Sequence, residues 1–230
     1  VVLLFFATLA HRAEAQWRSL NKFGAVIQCV HFFDANNGLV GAGDKIYRTM
    51  DAGLTWTPTI SDIATPSSFA FKDSLTGWCS TRGAQLAWGG NSADRTACYK
   101  TTNGGKTWVP TPIHGWGCEV SYNQGNGLLF LSRWDDGRAN AGSCSLSSDD
   151  GASWGSVVNQ VDPCGYVWAS STVGIFPALP ASFYRTTDGG LSWRIVAQVC
   201  ESWSPTLVPG TRTIVAAQDR QGSMYRSDDA

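Results

Sequence analysis

The chain has 230 residues, a formal net charge of −1, and only 15% charged side chains. That balance, with no basic stripe, excludes a partner held by its phosphates, so no nucleic acid is expected. Twenty-five glycines and eleven tryptophans suit many short strands and turns, not helices.

Val1 to Ala10 (VVLLFFATLA) is apolar, and Ala13-Glu14-Ala15 follows as a small-residue cleavage site. Residues 1–15 therefore read as a signal peptide clipped at its start, since no initiator methionine or basic segment precedes it. The run is too short for a membrane span. The expectation is a secreted or periplasmic protein of residues 16–230, truncated at its C-terminus. Trp17-Arg18-Ser19 echoes Trp193-Arg194-Ile195 and reads as an orphan outer strand.

Five strand-rich units follow. The first places strands at Val26 to Phe33, Leu39 to Ala42, Lys45 to Thr49 and from Thr55. The second opens like the first, with Phe71-x-Asp73-x-x-x-Gly77 matching Phe32-x-Asp34-x-x-x-Gly38. Its second and third strands, Trp78 to Thr81 and Ala97 to Thr101, are separated by a long insert, Arg82 to Thr96. The third unit carries an insert from Trp134 to Gly142 at the same place. In the fourth and fifth units that connection is tight.

A ten-residue phrase sits between the third and fourth strands of each unit. It reads YRTMDAGLTW from Tyr47, YKTTNGGKTW from Tyr99, SLSSDDGASW from Ser145 and YRTTDGGLSW from Tyr184, and YRSDDA begins a further copy at Tyr225. Asp51, Asn103, Asp149, Asp188 and Asp229 recur every 40 to 50 residues or so, the spacing of a propeller-like array. Their carboxylate or amide oxygens can accept backbone N–H groups and close a turn. Gly53, Gly105, Gly151 and Gly190 supply positive φ. Trp56, Trp108, Trp154 and Trp193 bring a large ring into the fourth strand. A position used in every unit is structural, whereas a catalytic group is needed once.

Seven cysteines fit an oxidising compartment. Cys79 and Cys98, on neighbouring strands flanking the long insert, form the expected disulfide. The pairing of Cys29, Cys118, Cys144, Cys164 and Cys200 stays open. Cys98 and Cys144 occupy the place filled by Ile46, Phe183 and Met224 in other units, so it reads as a core position, and Cys144 as an inert buried thiol. No Cys-x-x-Cys occurs, and neither metal nor cofactor is expected.

The phrases resemble the BNR, or Asp-box, repeat of sialidase-like propellers. The fuller pattern, Phe-x-Asp-x-x-x-Gly and later Ile-Tyr-Arg-Thr-x-Asp-x-Gly-x-Thr-Trp, is most similar to the photosystem II stability/assembly-factor type. The resemblance implies an all-β β-propeller of four-stranded antiparallel blades, about five in this chain, as part of a six- to eight-bladed ring. It carries no sialidase catalytic motif, because no Arg-Ile/Leu-Pro segment stands near the start.

Such a topology puts every phrase on one face and the inserts and inter-blade connections on the other. That second face would gather Trp88, Arg95, Trp116, Glu119, Trp134, Asp135, Asp136, Arg138, Glu201 and Trp203. Tryptophan beside carboxylates and arginine suits sugar stacking or a protein hot spot. The expected function is a non-catalytic scaffold binding a protein or carbohydrate on that face. The alternative is a glycoside hydrolase of sialidase-like or xyloglucanase-like type, which would need two loop carboxylates flanking the scissile bond.

Overall fold

The computed structural model describes residue 19 and residues 23–82, 96–134, 142–159, 161–163, 165–179, 182–198, 202–218 and 224–228. Twenty strands form five antiparallel sheets, with no helix among the described residues. The first sheet holds β1 (Ile27–Phe32), β2 (Gly38–Ala42), β3 (Lys45–Thr49) and β4 (Thr57–Ile60). The second holds β5 (Thr65–Phe71), β6 (Gly77–Arg82), β7 (Cys98–Thr101) and β8 (Val109–Pro110). The third holds β9 (Trp116–Asn123), β10 (Leu128–Trp134), β11 (Gly142–Ser147) and β12 (Gly155–Asn159). In each, spatial order follows chain order.

The fourth sheet differs at one edge. Two short strands, β13 (Asp162–Pro163) and β14 (Val167–Trp168), both pair with β15 (Gly174–Leu179), which continues to β16 (Ser182–Thr186) and β17 (Arg194–Gln198). Pro163 brings no N–H to the ladder and Gly165 turns at φ +76°, so the edge strand is split. The fifth sheet comprises β18 (Ser202–Leu207), β19 (Ile214–Gln218) and β20 (Met224–Ser227).

Successive sheets stack face to face, β1 on β5, β5 on β9, β10 and β11 on β13, and β14 and β15 on β18. This stacking explains the burial pattern. β2 and the first five residues of β6 are buried at every position, because a neighbouring sheet covers each face. Their sequences, GLVGA and GWCST, are rich in small side chains, which lets the sheets approach closely. Between the second and third sheets Trp78 packs with Val120, Leu129 and Leu131, and hydrogen bonds cross beside them: Ser67 Oγ donates to the Gly117 carbonyl at 2.9 Å, and the Val120 N–H donates to Ser68 Oγ at 2.7 Å.

Two sequence expectations are corrected here. Cys79 and Cys98 are free buried thiols. In the β6–β7 register Cys79 stands opposite Tyr99 and Cys98 opposite Ser80, so the two sulfurs leave the sheet on opposite faces. Cys79 packs with Leu39, Ile46 and Trp108, whereas Cys98 packs with Trp78, Ala97 and Val120. Met224 is not core but 72% exposed. Its counterparts Ile46 and Phe183 are covered by β4 and β17, while the described residues place no strand outside β20. Cys144 is buried as expected, its thiol pushed up to about 12 by that burial.

Candidate functional site

The repeated turns are a structural device, built the same way each time. In the first, Thr49 Oγ1 donates to Asp51 Oδ1 at 2.8 Å and accepts the Gly53 N–H at 2.9 Å. Asp51 then receives the Thr55 N–H at 2.8 Å and the Thr55 hydroxyl at 2.6 Å. Ser147–Asp149–Ser153 and Thr186–Asp188–Ser192 repeat these contacts, and Thr101–Asn103–Thr107 does so with the last bond reversed, Asn103 Nδ2 donating to Thr107 Oγ1 at 2.8 Å. The hydroxyl of the residue four positions on, with its N–H, holds each carboxylate in its charged form, and Asp149 and Asp188 are held down to about 2. Trp56, Trp154 and Trp193 close the turn by donating Nε1–H to the carbonyls of Gly53, Gly151 and Gly190 at 2.9, 3.1 and 3.0 Å. Trp108 departs from this: its Nε1 is buried without a partner. Asp229 lies outside the described residues.

The residue before each turn glycine was not singled out by sequence reasoning, although the four phrases differ there. Ala52, Gly104, Asp150 and Gly189 all have positive φ, at 59°, 68°, 57° and 78°. The turn takes two consecutive left-handed residues, and two copies occupy the first with a side chain.

On the opposite face, Trp88, Arg95, Asp135, Asp136, Arg138 and Glu201 lie outside the described residues. Trp134 and Trp203 are placed by backbone alone, at the end of β10 and within β18. Trp134 pairs in register with Trp116, at the end of the third sheet remote from its repeated turn. Trp116 is half-buried and its Nε1 has no hydrogen-bond partner. Glu119 follows on β9 and reaches the fourth sheet, accepting the Tyr166 N–H at 3.4 Å. Burial raises its carboxyl above the ordinary carboxylate range, and the Tyr166 and Gly165 N–H groups offset part of that rise.

Tyr166 itself is locked inside. Its hydroxyl lies 3.0 Å from Ser132 Oγ and 3.1 Å from Cys144 Sγ, and burial sends its pKa well above the ordinary phenol value. Tyr166 thus ties the third sheet to the fourth. Among the described residues no group of three or more His, Cys, Asp or Glu gathers as metal ligands would.

A second recess lies between the fourth and fifth sheets, about 270 Å³ in volume. Its floor is apolar, with Ile175, Phe183, Ile214 and Ala216, and its walls carry Arg185, Arg194 and Arg226. Arg185 and Arg194 are cross-strand partners on β16 and β17. Arg226 stands on β20 and pairs with Asp228 at 2.6 Å. Among the described residues no acidic side chain lines the recess. The spacing of Arg48, Lys100, Arg185 and Arg226 suggests cations spread evenly around a ring. In the first two sheets they are put to structural use: Arg48 donates to the Gly104 carbonyl and to Asn37, and Lys100 lies 5.8 Å from the Trp78 ring centre. Adjacent sheets and the added Arg194 bring three arginines together at the far end of the described chain.

Antiparallel sheets stacked in chain order, four of them carrying the same turn between successive strands, decide the architecture. The fold is a β-propeller. Its likeness to solved propellers runs along most of the chain. YCF48 bound to D1 peptide superposes with a TM-score of 0.64 at 18% identity, covering 90% of this chain and 66% of that one. The GH74 xyloglucanase from Xanthomonas campestris gives 0.66 at 17% identity, covering 93% of this propeller and 38% of the enzyme. The WD40 β-propeller domain of Doa1 gives 0.63 at 10%, with 91% and 67% covered. This chain thus spans about two thirds or less of the length of these structures. No protein-family model and no curated protein matches the sequence. Among the described residues no helix is long and apolar enough to cross a membrane.

Proposed function

We propose that this propeller is a secreted, non-catalytic scaffold that binds a protein partner. The observation that carries the reading is the recess between the fourth and fifth sheets: three arginines, one of them paired with Asp228, above an apolar floor, with no carboxylate in the lining among the described residues. Such a groove suits a polypeptide segment that presents acidic side chains or a terminal carboxylate beside apolar ones. YCF48, a propeller of the same fold, was captured with a peptide, which supports this class of partner. The face bearing Trp116 and Glu119 is the second proposed contact surface.

The test uses a fluorescein-labelled peptide alternating Glu with Leu and ending in a free carboxylate. Anisotropy should show binding that weakens as salt rises, and Arg194→Glu should weaken it at least tenfold, about 1.4 kcal/mol. Equal binding by the charge-reversed protein, or by a Lys–Leu peptide, overturns the reading.

The glycosidase reading draws on Glu119, a buried carboxyl with a raised pKa such as a general acid requires. It also needs a second carboxylate across the scissile bond. Release of reducing ends from xyloglucan, or of fluorophore from a sialoside, lost in Glu119→Gln, would establish it over the scaffold.

A further inference from the structure

The cysteine that fails to meet Cys98 meets a different one. β1 alternates, with Cys29 and His31 half-buried between exposed neighbours. The two therefore point the same way, toward the second sheet. His31 stacks on Phe71 of β5, ring centres 4.6 Å apart and planes inclined by 19°. Cys29 stands opposite Gly41 on β2. A side chain at Gly41 would strike Cys29 Sγ and Pro66 Cβ, each 2.6 Å from where its Cβ would sit, so the sulfur occupies the seam where the first sheet abuts β5. From the other side, Cys79 of β6 faces back across the same seam, packed on Leu39 and Ile46 of the first sheet. Cys29 is among the neighbours that, after burial, push the Cys79 thiol up, which fits two thiols facing each other across this seam.

We propose that Cys29 and Cys79 form a disulfide that bolts the first blade to the second. The oxidant is a small-molecule disulfide such as oxidised glutathione. The Cys29 thiolate, on the more accessible residue, attacks one sulfur of the oxidant and expels a glutathione thiolate. Cys79, deprotonated, then attacks Cys29 Sγ in the mixed disulfide and expels the second glutathione. Two protein thiols are oxidised, one small disulfide is reduced to two thiols, and the two protein protons go to the expelled thiolates. Cys79 is fully buried, so no external disulfide reaches it first. Gly41 is the residue that makes the seam thin enough for the pair.

The bond would join residues about fifty positions apart, in two blades otherwise held by side-chain packing and the Arg48–Gly104 hydrogen bond. Closing a loop of that length restricts the unfolded chain strongly. The oxidised protein should melt roughly 5–10 °C above the reduced one.

The experiment equilibrates the whole chain with oxidised glutathione, blocks remaining thiols with iodoacetamide, and digests after Lys and Arg without reduction. Cys29 is the sole cysteine between Lys22 and Lys45, and Cys79 the sole one between Lys72 and Arg82. Mass spectrometry should find those two peptides linked, and dithiothreitol should separate them and remove the gain in melting temperature. Cys29→Ser, at a half-buried site, should keep the fold and lose both effects, while Cys98→Ser should keep both. Recovery of Cys29 and Cys79 both alkylated, Cys29 held only as a glutathione adduct, or Cys79 linked elsewhere overturns the proposal.

Discussion

Gly105 and Leu39 meet across the boundary between the first and second blades: a Cβ added to the glycine would lie 2.7 Å from Leu39 Cδ2. The glycine of one repeated turn is seated on a large side chain of the preceding blade. Gly151 sits in the same way on Trp78, with its missing Cβ 3.1 Å from Nε1, and Gly190 on Phe130. One residue type thus meets two demands, a left-handed backbone and a close approach between blades. Gly190→Ala meets neither, since φ is 98° and Phe130 is packed and buried. It should destabilise the protein by about 2–4 kcal/mol, read from urea denaturation. A loss under about 0.5 kcal/mol would mean that the seat is not a packing contact.

The preceding position predicts the opposite sign. Ala52 holds φ at 59° where Gly104 and Gly189 stand in other turns. Ala52→Gly removes the left-handed penalty but adds unfolded-state entropy. The net should be stabilisation by about 0.5–1 kcal/mol. Asp150→Gly gains the same relief but loses the 3.1 Å ion pair with Lys72, so it should gain less. Equal gains in the two variants would assign the ion pair no value.

Acid should attack the turns. Asp149 and Asp188 titrate near about 2 in the folded protein, below the ordinary value of about 3.9 in an unfolded chain. A depressed carboxylate contributes stability that is fully present above the unfolded value and is lost as pH falls from about 4 through about 2. Asp188→Asn should therefore flatten the melting-temperature profile in that window, since the amide keeps an acceptor without the charge. Glu119 works the other way. Its raised pKa makes folding less favourable as pH rises above the unfolded value of about 4.3. Glu119→Gln should raise the melting temperature at pH 7 and leave it nearly unchanged at pH 3. A variant less stable at both values would show that the carboxylate, not merely its oxygen acceptors, is required.

Much of the fold was legible because the phrase pins register. β3 begins and ends where the sequence puts it, Lys45–Thr49, since Thr49 must reach Asp51. Contacts between blades were not legible. Cys79 and Cys98 look paired along the chain, but pleat alternation separates them, and the true neighbour Cys29 comes from another blade. Arg185, Arg194 and Arg226 likewise fall in different strands, and only the stacking of β15 on β18 brings their sheets together. The residues gathered by loop length fall largely in the inserts outside the described residues, and Trp116 and Glu119 alone among them have described side chains.

The indole N–H groups separate turn chemistry from the rest. Trp193 Nε1 donates to the Gly190 carbonyl at 3.0 Å, and its ring lies 4.6 Å from that of Phe176. Trp108 is more enclosed, at 7% exposure, yet its Nε1 has no partner. Phenylalanine keeps an aromatic ring and deletes the donor. Trp193→Phe should then cost the hydrogen bond plus the lost ring volume, about 2–3 kcal/mol. Trp108→Phe loses comparable volume but also relieves a buried unsatisfied donor, so it should cost at least about 1 kcal/mol less. Trp116→Phe extends the comparison to the opposite face, where Nε1 is also buried and unpartnered. Relief of that donor should leave its melting temperature unchanged or higher. If a bound partner supplies the missing acceptor, the same variant should bind it roughly tenfold more weakly, about 1.4 kcal/mol. Denaturant titrations of the three variants, with binding measured for Trp116→Phe, decide both points. Loss of stability in Trp116→Phe as large as in Trp193→Phe would place Trp116 in the core and remove that face from the candidates.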